Sequence, residues 1–310
     1  MLTAIIIAAL HFAEARELAR IAENAHPSWL AAAIALQVAT YVAVGQVFHR
    51  VARAGDCVLE LATACRLSLA KLFVDQAVPS AGLGGTVVLA SGLRQAGLPR
   101  SVVAACIVVE VVTYYAAFVV CLALALVVTA ISRDTSHIIT VVSVVFFVFA
   151  IALIVVVLAL SWGRAEAISR YATRIRLLRT AIDFIEQADP RLARSPRLFL
   201  EAMFYQLALV ACDAATLWVL IRALGEHGSA SGVFASFMLS NVVRTIGVVP
   251  GSVGVFEAAS VVTLRMVGVP TTVALAATLL FRGLSFWLPM IPGLWFSRRV
   301  MVRRPNEVQE

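Results

Sequence analysis

The chain has 310 residues, of which 61% are hydrophobic and 14% are charged, and its formal net charge is +7. Ordinary soluble domains are roughly 45–50% apolar and about 25% charged, so this composition excludes an ordinary soluble domain. The apolar runs at 106–131 and 138–162 exceed the roughly 20 residues that cross a bilayer. We therefore predict an all-α, polytopic membrane protein that forms a single membrane domain over residues 1–310.

The basic residues lie mainly between the apolar runs, which is the positive-inside pattern of membrane proteins. The net charge therefore indicates orientation and contact with anionic lipid headgroups, and we expect no nucleic-acid partner. The five cysteines fall in apolar segments without metal-ligand spacing. We expect them to be small buried residues, and we predict neither a metal site nor a disulfide framework.

Taken in chain order, the apolar segments predict about six full spans. The first is short or clipped, and a basic loop at 163–197 separates the fourth from the fifth. The predicted spans lie at 1–13, 29–48, 100–132, 137–162, 198–222 and 270–296.

Two further helical segments are broken by glycine and proline. Residues 57–78 form a semi-polar helix that breaks at "VPSAGLGG" before a short arm at 86–97. Residues 230–249 lead into "PGSVG" before a second arm at 257–268. Each arm is about 18 Å long at about 1.5 Å per residue, whereas the hydrocarbon core is about 30 Å thick. We therefore predict two re-entrant helical hairpins.

An internal repeat relates the two hairpins. A shift of 171 residues aligns 78–105 with 249–276 without a gap. Three predicted spans separate the copies, so we expect them to be inverted repeats, with cores at 57–132 and 230–296. Broken helices in inverted repeats are typical of secondary transporters. The identical residues of the first copy are Val78, Pro79, Leu93, Arg94, Gly97, Pro99, Val102 and Ala105.

The arginines predict the orientation of the protein. Loop 163–197 and the tail from residue 297 are the richest in arginine, so we expect both, and hence the C-terminus, to be cytoplasmic. The first hairpin then enters from the cytoplasm and the second from the opposite face. We expect a multi-pass protein of the cytoplasmic (inner) cell membrane.

Motifs of enzymes are missing from the sequence, which has no H-E-x-x-H, P-loop or dinucleotide fingerprint. The histidines are scattered, and "PGSVG" does not fit the nucleophile pattern G-x-S-x-G. We therefore predict a non-enzymatic protein that uses no cofactor.

Charged residues inside apolar segments are the stronger functional signal. Each costs about 2.5–3.5 kcal/mol at the middle of a spanning helix, so we expect such residues to face one another or water. They are Glu110, Asp213, Arg244, Glu257 and Arg282.

Two interpretations of these charges stay open. In the structural one, Glu257 pairs with Arg244 or Arg282 only to hold the second hairpin. In the functional one, both arginines bind a phosphate while Glu257 positions them or exchanges a proton. Glu110 is a second candidate proton site.

The glycines of the two breaks have two interpretations as well. They permit either close helix packing or the approach of a ligand to backbone N–H groups at the starts of the arms. These glycines are Gly84, Gly85, Gly251 and Gly254. Lys71 and Asp75, four residues apart, predict an ion pair on one helix face.

The C-terminal third carries a family resemblance. Its pattern is a P-G-x-x-G-x-F-E turn at 250–257, a "GV" break at 268–269, and an "LLFR" span followed by Trp287. This pattern resembles the flippase-like transmembrane region of lysylphosphatidylglycerol synthases (the multiple peptide resistance factor) and free-standing proteins built on it. The first half of the chain is similar more loosely. The motif residues of the family fall here on Arg244, Pro250, Gly251, Gly254, Glu257, Arg282 and Trp287.

The resemblance implies a multi-pass domain that moves a modified phospholipid, or another phosphate- or isoprenoid-linked lipid, between leaflets. No segment resembles the aminoacyltransferase domain of those synthases, so we expect no lipid aminoacylation. The first hairpin also has Asp75 and Gln76 before Pro79 where the family has asparagine, and Thr86 where it has arginine. The lipid therefore need not be the phosphatidylglycerol derivative of the family.

These observations together predict a lipid translocator that hydrolyses no ATP and whose partners are membrane lipids with anionic headgroups. Two alternatives stay open: a secondary transporter for a small solute or anion, and a non-transporting scaffold that binds a lipid-modifying enzyme through loop 163–197. The sequence is also compatible with a homo-oligomer.

Overall fold

The computed structural model describes residues 26–78, 83–131, 151, 187–246 and 254–302. The described residues form helices and turns, and no strand occurs among them. The all-helical fold class is thus confirmed. The helices are α1 Pro27–Ala54, α2 Leu61–Ala77, α3 Leu83–Gln95, α4 Arg100–Ile131, α5 Pro190–Ala193, α6 Pro196–Ala223, α7 Ala230–Ile246, α8 Val255–Met266, α9 Thr271–Arg282 and α10 Leu288–Val302, with a π-helical segment at Gly283–Trp287.

Four helical runs of the described chain are long and apolar enough to cross a membrane. They coincide with the second, third, fifth and sixth predicted spans. The predicted spans at 1–13 and 137–162 lie outside the described residues, apart from Ile151, which is helical. The four runs are Pro27–Ala54, Arg100–Val127, Pro196–Ala223 and Thr271–Met301.

The two short arms are helices of 13 residues (α3) and 12 residues (α8). At about 1.5 Å per residue neither reaches 30 Å, so neither crosses a bilayer alone. The arm α3 begins at Leu83 and not at the predicted residue 86, which places Gly84 and Gly85 inside its first turn. The re-entrant course of the hairpins stays a prediction, since 79–82 and 247–253 lie outside the described residues.

Helix lengths agree with the internal repeat over a longer stretch than the sequence identities do. Helices α2 and α7 each have 17 residues, and α1 and α6 each have 28. The shift of 171 residues carries α4 (100–131) onto the continuous helical run 271–302. It also pairs Gly97 with Gly268, whose φ angles are 90° and 87°. These lengths agree with the predicted repeat, which itself stays a prediction.

The chain divides into two compact units. The first contains α7, α8, α9 and the π-helical segment, together with parts of α1, α4 and α6 and the first two residues of α10. The second contains α2, α3 and α5, most of α4, and the remaining parts of α1, α6 and α10.

The apolar core of the second unit joins α1, α2, α3 and α4. Phe48 of α1, Leu89 and Leu93 of α3, and Ala104 of α4 are all fully buried in it. Lipid tails are as apolar as these side chains, so this contact is stabilised by dispersion and close fit more than by the hydrophobic effect. The helices hold the start of α3 at a defined place in the unit.

All five cysteines are free thiols, and Cys106 and Cys121 are buried in their helix. Cys57, Cys65 and Cys212 are only partly buried, so the expectation of small buried residues holds for two of the five.

Candidate functional site

The start of α8 carries the first polar site, in the first unit. Gly254 precedes the helix with φ of 86°, a left-handed conformation that side chains other than glycine's rarely adopt. Its backbone N–H donates to Oε2 of Glu257 at 2.7 Å. A first-turn carboxylate thus satisfies an N–H group that the helix leaves unpaired, and its charge is favourable at this end of the helix dipole.

The same carboxylate binds an arginine of the next helix. Nε of Arg282, the last residue of α9, donates to Oε1 of Glu257 at 2.8 Å. The exposed fractions of the two side chains are only 6% and 17%. One carboxylate therefore joins the first turn of the short helix α8 to the long helix that follows it. Of the two arginines that the sequence offered as partners for Glu257, Arg282 makes the contact.

Aromatic rings enclose the guanidinium of Arg282. Its central carbon lies 4.1 Å from the ring centroid of Phe286 and 5.8 Å from that of Phe256. Phe237 and Phe281 complete an aromatic cluster, with their centroids 5.7 Å apart. Arginine favours such stacked positions because its cation is weakly hydrated and is attracted to the faces of the rings.

Hydroxyl groups further along α8, after Glu257, connect this helix to α7 and α9. Thr263 of α8 is hydrogen-bonded to Ser236 of α7 at 2.6 Å and to Ser240 at 3.1 Å. Ser260 of α8 is hydrogen-bonded to Thr278 of α9 at 2.8 Å. Small hydroxyl residues let helix backbones approach closely in membranes. These contacts were not predicted from the sequence, where their available signal was the three- and four-residue spacing of Ser236, Ser240, Ser260 and Thr263.

The start of α3 carries the second polar site, in the second unit. The backbone N–H of Gly85 donates to Oδ1 of Asp75 at 3.0 Å. Nζ of Lys71 lies 3.5 Å from Oδ2 of Asp75, which confirms the predicted pair on α2. A Cβ atom on residue 85 would overlap the Asp75 carboxylate, so glycine is needed for this close approach.

Glu110 completes the second site. Nζ of Lys71 donates to Oε1 of Glu110 at 3.0 Å, and the Glu110 side chain is only 12% exposed. Lys71 thus lies between two carboxylates, from α2 and α4, and the three formal charges sum to −1. The sequence singled out Glu110 as an intramembrane charge but did not assign it to Lys71, because the two residues are far apart along the chain.

The two sites have a similar arrangement, but the long helix contributes a charge of opposite sign in each. In each, a carboxylate accepts a backbone N–H at the start of a short helix, and an ion pair reaches the long helix that follows. That long helix supplies the cation Arg282 in the first unit and the anion Glu110 in the second. Glu110 and Arg282 are also almost equivalent under the 171-residue shift, which relates Glu110 to the neighbour of Arg282, Phe281.

The remaining predicted site residues have varied positions. Arg244 lies half-buried in the last turn of α7. Trp287 ends the π-helical segment and meets the ring of Phe286 edge-on at 4.7 Å. Gly84 lies in the first turn of α3. Pro250 and Gly251 lie outside the described residues.

The π-helical segment Gly283–Trp287 begins directly after Arg282. Such segments are rare and frequent at functional sites. Pro289 follows two residues later, and its ring would clash with the carbonyl of residue 285 in a regular α-helix. The wider π turn relieves that clash. The π-helical segment was not predicted from the sequence, where Pro289 was its available signal.

Asp213, another predicted intramembrane charge, lies in the first unit on α6. It accepts a hydrogen bond from Nε2 of Gln37 at 2.9 Å. The same nitrogen of Gln37 lies 3.2 Å from Oγ1 of Thr216. Gln37 is 2% exposed, so this contact stabilises an amide buried on α1.

Comparisons with known proteins identify the family. The family model described as the lysylphosphatidylglycerol synthase TM region matches residues 1–293. The UPF0104 membrane protein PH1989 of Pyrococcus horikoshii is 31% identical over 103 residues, which make up 33% of this chain and 31% of that relative. This chain therefore aligns with less than a third of the length of that relative.

The family match covers both polar sites, the first three described spans and the fourth as far as residue 293. The resemblance that the P-G-x-x-G-x-F-E turn indicated is confirmed. The chain belongs to the family of the lysylphosphatidylglycerol synthase transmembrane region and is a multi-pass membrane protein.

Proposed function

We propose that this protein is a flippase-like translocator that moves an anionic or isoprenoid-linked lipid between the leaflets of the cell membrane without hydrolysing ATP. The observation that carries the proposal is the pair of buried ionic sites, Glu257–Arg282 and Lys71–Asp75–Glu110, each at the start of a helix too short to cross a bilayer.

The cost of burying charge supports a polar pathway. A charge inside an apolar segment costs about 2.5–3.5 kcal/mol even on the lowest scales, so such residues are rare in membrane proteins unless they serve a substrate or ion path. The start of a short helix adds backbone N–H groups, which favour anions. A lipid phosphate is an anion of this kind.

The repeat supports a transport architecture. Helix lengths recur from α1–α4 to the run α6–α10, and charged sites recur at the two short helices. In the proposed mechanism the two hairpins enter from opposite faces, and the lipid headgroup follows the polar side chains while its tails stay in the bilayer. Transporters with inverted repeats use such broken helices to line their substrate sites.

The energy source in this proposal is the lipid gradient, a proton gradient or the membrane potential. Glu257 and Glu110 are the candidate proton sites, because each is a carboxylate paired with one cation and largely excluded from solvent. Protonating either one would weaken its ion pair and free the cation for a phosphate.

Leaflet exchange in proteoliposomes tests the proposal. We would label headgroups of anionic phospholipids and of polyprenyl phosphates and compare wild type with Glu257→Gln and Arg244→Ala. The matched control is Glu60→Gln, which removes the same charge from an exposed residue whose side chain makes no cap hydrogen bond at the start of α2. We expect exchange at least about tenfold slower in both site variants, since a lost charged hydrogen bond costs about 1.5–3 kcal/mol.

The outcomes separate the function from the site. Exchange that is unaffected by both site variants would retain the translocator but remove Glu257 and Arg244 from its path. The absence of exchange for every lipid, from folded wild-type protein, would overturn the proposal in favour of solute transport or a scaffold.

A further inference from the structure

A surface cavity lies where the last turns of α1 meet the first turns of α6, in the second unit. It is a cavity of about 410 Å³ lined by Arg50, Leu200, Glu201, Phe204 and Tyr205. None of these residues belongs to the two ionic sites described above.

Arg50 is short of hydrogen-bond acceptors in this cavity. One terminal nitrogen lies 3.4 Å from the hydroxyl of Tyr205, and the other lies 4.0 Å from Oε2 of Glu201. The Arg50 side chain is 40% exposed, and a guanidinium carries five N–H donors. Within the part of the chain that the structure describes, its terminal nitrogens make only these two long contacts, so they are the donors that an acceptor from outside the protein would meet.

The charges around the cavity favour an anion. Arg197 donates through Nε to Oε1 of Glu201 at 3.1 Å, so Glu201 lies between two arginines. The three side chains have a net charge of +1. A phosphodiester carries one negative charge and only acceptor oxygens, and its geometry matches the fork of an arginine.

Two apolar side chains of the cavity are exposed. Leu200 and Phe204, one turn apart on α6, are 65% and 66% exposed. The exposed apolar face of a spanning helix lies against acyl chains. Arg50 is four residues before the end of α1, and Glu201 is five residues after the start of α6. At about 1.5 Å per residue, the polar wall lies about 6–8 Å inside the helix ends, which is the depth of the boundary between headgroups and tails.

We propose that this cavity binds the headgroup phosphodiester of an anionic phospholipid, with Arg50 and Tyr205 on the phosphate and with the acyl chains along Leu200 and Phe204. The occupant is a lipid with one net negative charge, resident in the leaflet at this end of α1. The proposal stands apart from translocation, since it concerns equilibrium binding at a site that contains no residue of the proposed path.

Lipid retention measured by native mass spectrometry tests the proposal. The full chain would be titrated with phosphatidylglycerol and, in parallel, with phosphatidylcholine. Arg50→Gln removes the central cation, and Arg53→Gln is the matched control because Arg53 is exposed on the same helix and does not line the cavity. We expect Arg50→Gln to weaken phosphatidylglycerol binding by at least about tenfold, as the loss of a charged hydrogen bond predicts, and Arg53→Gln to leave it near the wild-type value.

Three results would overturn the proposal: equal losses in the Arg50 and Arg53 variants, wild-type binding in Arg50→Gln, and equally tight binding of phosphatidylcholine. Inorganic phosphate is a further probe, and its binding through Arg50 without any binding of lipid would also overturn it. If Arg50→Gln does not fold, Phe204→Glu provides a second test on an exposed residue. We expect it to weaken phosphatidylglycerol binding by repulsion, and unchanged binding in this variant would contradict the proposed lipid pose.

Discussion

At the residue scale, Glu257 serves two donors with one carboxylate. One oxygen accepts the N–H of Gly254 and the other accepts Nε of Arg282. The guanidinium of Arg282 packs against the rings of Phe256 and Phe286, and the carboxylate of Glu257 compensates its charge. Pairs of this kind are sensitive to the loss of a single partner, whereas the joint replacement of both is tolerated far better.

The first prediction is a double-variant cycle on this pair. Glu257→Gln keeps an acceptor for Gly254 but removes the charge, and we expect it to lower the free energy of unfolding by about 3–5 kcal/mol. Arg282→Met should restore part of that loss, so that the double variant is less destabilised than the sum of the single variants by about 1–3 kcal/mol. Unfolding in detergent, followed by circular dichroism, measures both quantities. Additive single effects would show that the contact does not couple the two residues.

At the element scale, the short helices α3 and α8 are held at their starts by carboxylates and at their ends by glycine turns. Gly97 and Gly268 follow the two helices at equivalent places, with φ angles of 90° and 87°. An added Cβ atom would meet nothing within 4 Å at either glycine. The requirement for glycine there is therefore one of backbone conformation, not of space.

The second prediction follows from this equivalence. Gly97→Ala and Gly268→Ala should each lower the free energy of unfolding by about 1–2 kcal/mol, the cost of a left-handed conformation for a residue with a Cβ atom. Asparagine at the same positions should cost less, since it adopts this conformation more readily. Clearly unequal costs in the two turns, measured by the same unfolding assay, would contradict their structural equivalence.

At the scale of the whole molecule, the predicted repeat pairs helices of similar length, although identical residues cluster around the two breaks. The side chains of the paired helices differ far more than the helix lengths do. The ionic sites diverge furthest, with Arg282 on the long helix of one repeat and Glu110 on that of the other. Opposite charges at equivalent places are compatible with one fold, since either sign finds its partner on a neighbouring helix.

The third prediction tests the opposite orientation of the repeats. Arg94 and Arg265 are identical residues related by the 171-residue shift, and both are exposed. In a background free of the five native cysteines, Arg94→Cys and Arg265→Cys should react with a membrane-impermeant maleimide from opposite sides of the membrane. With the predicted orientation, Arg265→Cys is labelled in intact cells and Arg94→Cys only after permeabilisation. Labelling of both from the same side would exclude inverted repeats.

The second, third, fifth and sixth predicted spans agree with helices of the structure. They could be predicted because long apolar runs and glycine–proline breaks are local signals. Bounds at the breaks were less accurate: α3 begins at Leu83, three residues before the predicted arm. The reason is that glycine can occupy the first turn of a helix when the packing there requires a small residue. Gly85 does so because the carboxylate of Asp75 occupies the space of a side chain.

Hydropathy and the P-G-x-x-G-x-F-E turn were sufficient for the membrane class and the family. An apolar sequence context also singled out Glu110 and Arg282, which the structure buries. These features depend on composition and local pattern, which the chain carries in any conformation. The partner of each charge depends instead on which helices pack together. That packing joins Glu257 to Arg282 and Lys71 to Glu110, and it brings Arg50 beside Tyr205. Contacts between residues far apart along the chain arise only when helices meet, and so only the tertiary structure assigns them.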